Sequence, residues 1–105
     1  MSVTSVDFPL TGQLCRVDYG EMVFEHDFRV PGKLTFTAVS GPFEGHTETV
    51  DISVRPIRED IFAVSFTDAG ASVVVIEDLA RGVVNTFMSM PDQPLSHLSG
   101  TLADG

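Results

Sequence analysis

Between Ile61 and Leu102 the chain repeats one unit four times: an apolar run of about seven or eight residues followed by a short break. The runs are Ile61–Thr67, Ala71–Asp78, Val83–Met90 and Leu95–Leu102. The breaks are Asp68-Ala69-Gly70, Leu79-Ala80-Arg81-Gly82 and Pro91-Asp92-Gln93-Pro94. β-Branched and aromatic runs cut at this interval predict an antiparallel meander. The first half keeps the same rhythm with cleaner alternation. Residues 13–19 read as a strand ended by Gly20. In 22–28, Met22, Phe24, His26 and Phe28 share one face, with Val23, Glu25 and Asp27 opposite. After the Pro31-Gly32 turn, Leu34, Phe36 and Ala38 alternate with polar residues over 33–40. After Gly41–Gly45, Val50, Ile52 and Val54 form one face of a strand over 46–55, closed by Pro56–Asp60. The pattern therefore predicts eight strands, at 13–19, 22–28, 33–40, 46–55, 61–67, 71–78, 83–90 and 95–102. Residues 2–12 are expected to make a short helical turn or lid, and the tail Ala103-Asp104-Gly105 is expected to fray.

Every link is too short for the crossover of a dozen or more residues that parallel pairing needs. A Greek-key sandwich needs at least one long connection, and there is none. The fold class that remains is all-β: an eight-stranded antiparallel up-and-down barrel, as a single domain over 1–105. A barrel of this size holds either packed side chains or one small ligand. The fifth to seventh predicted strands are apolar on both faces. One face can line the lumen, and the other needs a cover besides water. The expected partner is a second copy, as a homodimer through the outer face of those three strands.

Composition narrows the partners. Fifteen acids against six bases give a net charge of −9, with Lys33 as the one lysine. Such a surface repels phosphate backbones and anionic membranes, so neither nucleic acid nor a membrane is an expected partner. The single cysteine, Cys15, excludes an internal disulfide and any CxxC motif, and reads as a buried, inert thiol. The N-terminal residues show no basic, apolar leader and no stretch is long enough to cross a membrane, so the expected compartment is the cytoplasm.

Several short stretches resemble the MoaF-like domain, the molybdenum-cofactor-biosynthesis F-type branch of the calycin superfamily. They are Phe62–Gly70, Glu77-Asp78-Leu79, Gly82-Val83-Val84, Pro91-Asp92 and Leu98–Leu102, with looser matches at Leu10–Gln13, Asp18-Tyr19-Gly20 and Gly41…Gly45. The resemblance implies a lipocalin-like antiparallel barrel. It brings no catalytic motif and no cofactor with it. Phe66 stands where the family often has Trp, and longer members carry two such domains.

The chain has no G-x-S-x-G elbow, P-loop, G-x-G-x-x-G or H-E-x-x-H motif, which argues against hydrolase, NTPase and dinucleotide roles. The candidate chemistry consists of polar residues on apolar faces. His26, between Phe24 and Phe28, is an imidazole in the lumen that orients a ligand or acts as acid–base, or else a hydrogen-bonded core histidine. His46 and Glu48 point the same way from one strand, ~7 Å apart, as an acid–base pair at a barrel mouth or as a solvated strand end. Phe24, Phe28, Phe36, Val50, Ile52, Val64 and Met88 are the expected apolar wall, with Asn85 as a polar anchor. Arg16 is a second candidate anchor, with Glu48 as its partner. His97 alternates with Leu95, Ser99 and Thr101; taking Leu98 and Leu102 as the core set would place it outside, but the pattern leaves the face of this strand open. The three histidines are too scattered to predict a metal site, and no cofactor is expected. Three functions fit: binding of a small apolar or aromatic molecule, cofactor-independent proton-transfer catalysis (isomerase, cyclase or decarboxylase type), or an oligomeric scaffold with a filled barrel.

Overall fold

The computed structural model describes residues 8–104. Nine strands follow one another: β1 Leu14–Asp18, β2 Val23–Asp27, β3 Lys33–Ser40, β4 Thr47–Asp51, β5 Ser53–Arg58, β6 Ile61–Asp68, β7 Ala71–Asp78, β8 Val83–Ser89 and β9 Ser96–Asp104. They form one sheet in the order β4-β3-β2-β1-β9-β8-β7-β6-β5, with every neighbouring pair antiparallel. The two ends of that order, β4 and β5, are consecutive in the chain and separated only by Ile52. β4 pairs with β3, and β5 pairs with β6. The sheet is thus curled into a nearly closed barrel, with one bent segment supplying both of its edge strands.

That segment corrects the expected strand count. The single strand predicted over 46–55 is divided at Ile52, whose N–H donates to Gly32 O at 3.0 Å, one step beyond the Lys33–Asp51 pair. Its first half completes one side of the barrel and its second half the other, so it must bend where it changes partner. The β5 portion carries Pro56 beside a register shift, which suits a strand with one unpaired edge.

The ends also differ from expectation. Ala103 and Asp104 do not fray; they pair with Arg16 and Cys15 and help join β9 to β1. Of the expected lid, residues 2–7 lie outside the described residues. Residues 8–12 form turns, with Thr11 N–H donating to Phe8 O and Gln13 N–H to Leu10 O, both at 3.0 Å. These turns set Phe8 into the barrel end. Its ring meets Phe28 edge-on at 5.2 Å and Phe62 at 5.5 Å.

Alternation sorts the side chains as a half-buried strand should. Cys15, Val17, Leu34, Phe62, Val64, Val73, Val75 and Val84 turn inward and are buried. Outside, Thr35–Thr49 and Thr37–Thr47 hydroxyl pairs at 2.7 and 2.9 Å lace β3 to β4. Gly100 is required by close approach: a Cβ there would lie 2.5 Å from Asp18 O and 2.9 Å from Tyr19 Cδ1. The missing side chain lets the end of β1 and the Tyr19 ring settle against β9.

Candidate functional site

The lumen has two unlike ends. At one, Phe8, Phe28, Leu34, Phe62 and Val64 are packed against each other without access to solvent. Toward the other a cavity of about 190 Å³ remains, partly open to solvent. The barrel is therefore not filled. A dry apolar cavity of ~150 Å³ accommodates benzene, so this one has room for a single ring with a small substituent.

Its wall follows from the register. Phe24 on β2 and Phe36 on β3 share an inner face, and Phe66 on β6 is paired with Val73 on β7. Tyr19, just past β1, completes an arc of rings. The centroids are 6.1 Å apart for Tyr19–Phe24, 6.3 Å for Phe24–Phe36 and 5.7 Å for Phe36–Phe66. Val73, Val75 and Met88 supply aliphatic surface opposite, and the exposed Phe43 borders the cavity. Polar groups are few. The Tyr19 hydroxyl and Thr86 Oγ1 are hydrogen-bonded at 2.6 Å, and burial raises the Tyr19 pKa. Asp68, at the end of β6, also lines the cavity.

His26 sits where the two ends meet. It lines the cavity, and its ring lies edge-on to Phe28 at 6.1 Å. Only 5% exposed, it has no hydrogen-bond partner at Nδ1 among the described residues. Burial pushes its pKa down to about 4, so the imidazole is neutral at pH 7. Desolvation disfavours the charged ring.

The structure separates the residues expected from the sequence. Phe24, Phe36, Met88 and His26 line the cavity. Phe28 and Val64 belong instead to the packed end, and Val50 and Ile52 pack against that core. All four lie on the expected face, but none of them lines the cavity. Asn85 is a correction of face. Val84, Thr86 and Met88 turn inward, so Asn85 and Phe87 point out. There Asn85 Oδ1 accepts from Ser99 Oγ at 2.8 Å and lies 2.9 Å from His97 Nε2, while the His97 ring stacks on Phe87 at 4.6 Å. His97 is thus on the outer face, which settles the side the sequence pattern left open. Arg16 is exposed between the buried Cys15 and Val17, and so is no lumenal anchor.

His46 and Glu48 do not line the cavity. The turn that returns Gly45 N–H to Ala38 O delays β4 until Thr47, leaving His46 at the margin. Its Nε2 lies 3.5 Å from Glu48 Oε1, with the two side chains 52% and 40% exposed. The histidines thus occupy the interior, the margin and the outer surface. Among the described residues no three His, Cys, Asp or Glu side chains are placed to hold a metal ion.

Sequence reasoning missed Glu77 as an interior group. It lies on the inner face of β7, level with Phe62 and Val84, and is fully buried. Neither carboxyl oxygen has a hydrogen-bond partner among the described residues, and burial pushes its pKa up to about 8. Burial, with Glu77 and Asp104 nearby, also pushes the Cys15 thiol up to about 12, so it is inert. The signal for Glu77 was available: Ala71, Val73, Val75 and Glu77 share one face at a period of two.

The fold and its cavity define an antiparallel up-and-down barrel with one end plugged and the other accessible. The chain matches the MoaF-like family model over residues 11–103 and belongs to that family. Among solved structures it is similar to a Burkholderia vietnamiensis protein provisionally described as a beta-lactamase. That likeness has 24% identity and a TM-score of 0.87, and covers 96% of this chain and 100% of the other. At that identity it shows the shared fold alone. No curated protein matches the chain at a significant level.

Proposed function

We propose that the protein binds a small apolar or aromatic molecule, of about one ring, in the accessible end of the barrel. The observation that carries this reading is a cavity of about 190 Å³ walled by rings and aliphatic side chains, with the buried His26 ring at its inner end. Ligand sites are mostly apolar with a few placed polar groups.

Binding is favoured over proton-transfer catalysis. A general base works best with a pKa near the working pH, and His26 is held at about 4. The His46–Glu48 pair lies outside the cavity and offers no second group there. The Burkholderia protein's name gives no support to a serine β-lactamase reading either. That chemistry needs S-x-x-K, and the residue three before Lys33 is Val30. A cytoplasmic setting suits the one reduced, buried thiol.

Titration with toluene, phenol and indole, followed by methyl NMR shifts of Val73, Val75 and Met88, is expected to give saturable shifts confined to the cavity. Val75→Phe, which fills the cavity, is expected to abolish them while the protein stays folded. Absence of saturable shifts with all three probes would sink the reading.

We further propose that a second copy covers the outer face of β6–β8. Ala63, Val74, Ile76 and Val83 lie there, with Val74 36% exposed. His97 already caps the Phe87 ring, so the contact centres on Val74 and Ile76. Association is expected face to face, through this outer apolar surface. Sedimentation at high micromolar concentration should show a dimer, and Val74→Lys should yield a monomer of unchanged thermal stability. A strictly monomeric wild-type protein contradicts this contact.

A further inference from the structure

We infer that the cavity selects a cationic ligand: a protonated amine or quaternary ammonium whose charged head lies at the aromatic rim beside Asp68, with its apolar body reaching toward His26. This rests on the cavity being a binding site and names the chemical class it takes.

Three observations converge. First, Tyr19, Phe24, Phe36 and Phe66 form a continuous arc with successive centroids 5.7 to 6.3 Å apart, and all four line the same cavity. The face of an aromatic ring is electron-rich and attracts a cation within ≈ 6 Å of its centroid. An arc of this spacing brings one small head within reach of more than one ring.

Second, among the described residues Asp68 is the one acidic side chain lining the cavity, and no Lys or Arg lines it. Among those residues Asp68 takes part in no ion pair, whereas Asp27, Asp51 and Asp78 each have a basic partner. Its place follows from the β6–β7 hairpin. Asp68 pairs with Ala71 across a two-residue turn in which Ala69 and Gly70 both have positive φ. That turn holds the carboxylate one step beyond Phe66 on the same face, at the rim. A cationic head there stays partly hydrated, so the cost of burying a charge is reduced.

Third, the inner end is uncharged. The His26 ring that lines it is 5% exposed and neutral. The polarity along the cavity therefore runs from an acidic, ring-lined rim to a neutral interior. This fits a molecule with a cationic end and an apolar end. The overall charge of −9 acts in the same direction by concentrating cations around the protein.

Benzylamine, benzyl alcohol and benzoate share a ring and differ chiefly in charge at neutral pH. Calorimetric or NMR titration at low ionic strength is expected to show benzylamine binding at least tenfold tighter than benzyl alcohol, with benzoate weakest. Asp68→Asn is expected to remove most of the benzylamine preference over benzyl alcohol. Phe66→Leu is expected to reduce the preference further. Equal affinity for the amine and the alcohol, or a preference untouched in both variants, overturns the cation inference while the pocket stands. Failure of all three probes to bind removes the pocket reading as well.

Discussion

Glu77→Gln is expected to raise the unfolding free energy at pH 8 by roughly 3–5 kcal/mol and to change it little at pH 4.5. The figure follows from a pKa pushed from 4.5 to about 8, at ~1.4 kcal/mol per unit. In the unfolded chain the carboxyl loses its proton near 4.5; in the folded barrel it holds that proton to about 8. Over that window the unfolded state binds fewer protons, so wild-type stability falls as pH rises. His26 acts in the opposite sense. Its pKa falls from 6.5 to about 4 on folding. Below 6.5 the unfolded state takes up a proton that the folded state refuses, so stability is lost as pH falls toward 4. Between about 4.5 and 6.5 the two slopes cancel. The wild-type protein is therefore expected to show a plateau there, then a loss of about 2 kcal/mol from pH 6.5 to 8. Chemical denaturation across pH 4–9 checks this. Glu77→Gln should flatten the high-pH limb, and His26→Phe should turn the plateau into a decline beginning near 4.5. A wild-type curve flat from 6.5 to 8 would show that the Glu77 carboxyl is partnered in solution.

Phe28→Ala and Phe36→Ala are expected to differ sharply although both remove an inward phenyl ring from the same barrel. Phe28 is 2% exposed and its ring meets Phe8 and His26. Removing it leaves a void in the packed end, at a cost of about 3–5 kcal/mol. Phe36 already borders empty space, so less of its ring is packed against other side chains. Its truncation should cost roughly half as much and enlarge the cavity. Denaturant unfolding gives both values, and probe titration reads the second effect: Phe36→Ala should accept a larger ring system than the wild type. Equal losses of stability would mean that the two ends of the barrel are packed alike.

These two phenylalanines also show where sequence reading stopped. Alternation over 22–28 and 33–40 places Phe24, Phe28 and Phe36 on the inner face, and all three are there. Their height along the axis depends on strand stagger and on Phe8 entering one end, neither of which is written in a local pattern. Asn85 failed for another reason. The 83–90 strand is apolar on both faces, so its alternation has no readable phase. The phase is set by β7 and β9, which turn Val84 and Met88 inward and leave Asn85 to Ser99 and His97. Glu77 was concealed by its charge, since a carboxyl at a strand end beside Asp78 reads as solvent-facing until its inward neighbours are counted. The break at Ile52 was invisible because Val50, Ile52 and Val54 keep perfect alternation through the bend.

What the sequence alone determines is the antiparallel up-and-down barrel and the face on which most side chains lie. Links too short for crossovers exclude parallel pairing, and the lack of any long connection favours the barrel over a Greek-key sandwich. Only the tertiary structure decides which end is plugged, which rings surround the cavity, and that Glu77 and His26 lose their charge. Those depend on side chains brought together across the barrel from strands far apart in sequence. Burial strong enough to shift a pKa exists only once the ring of strands has closed.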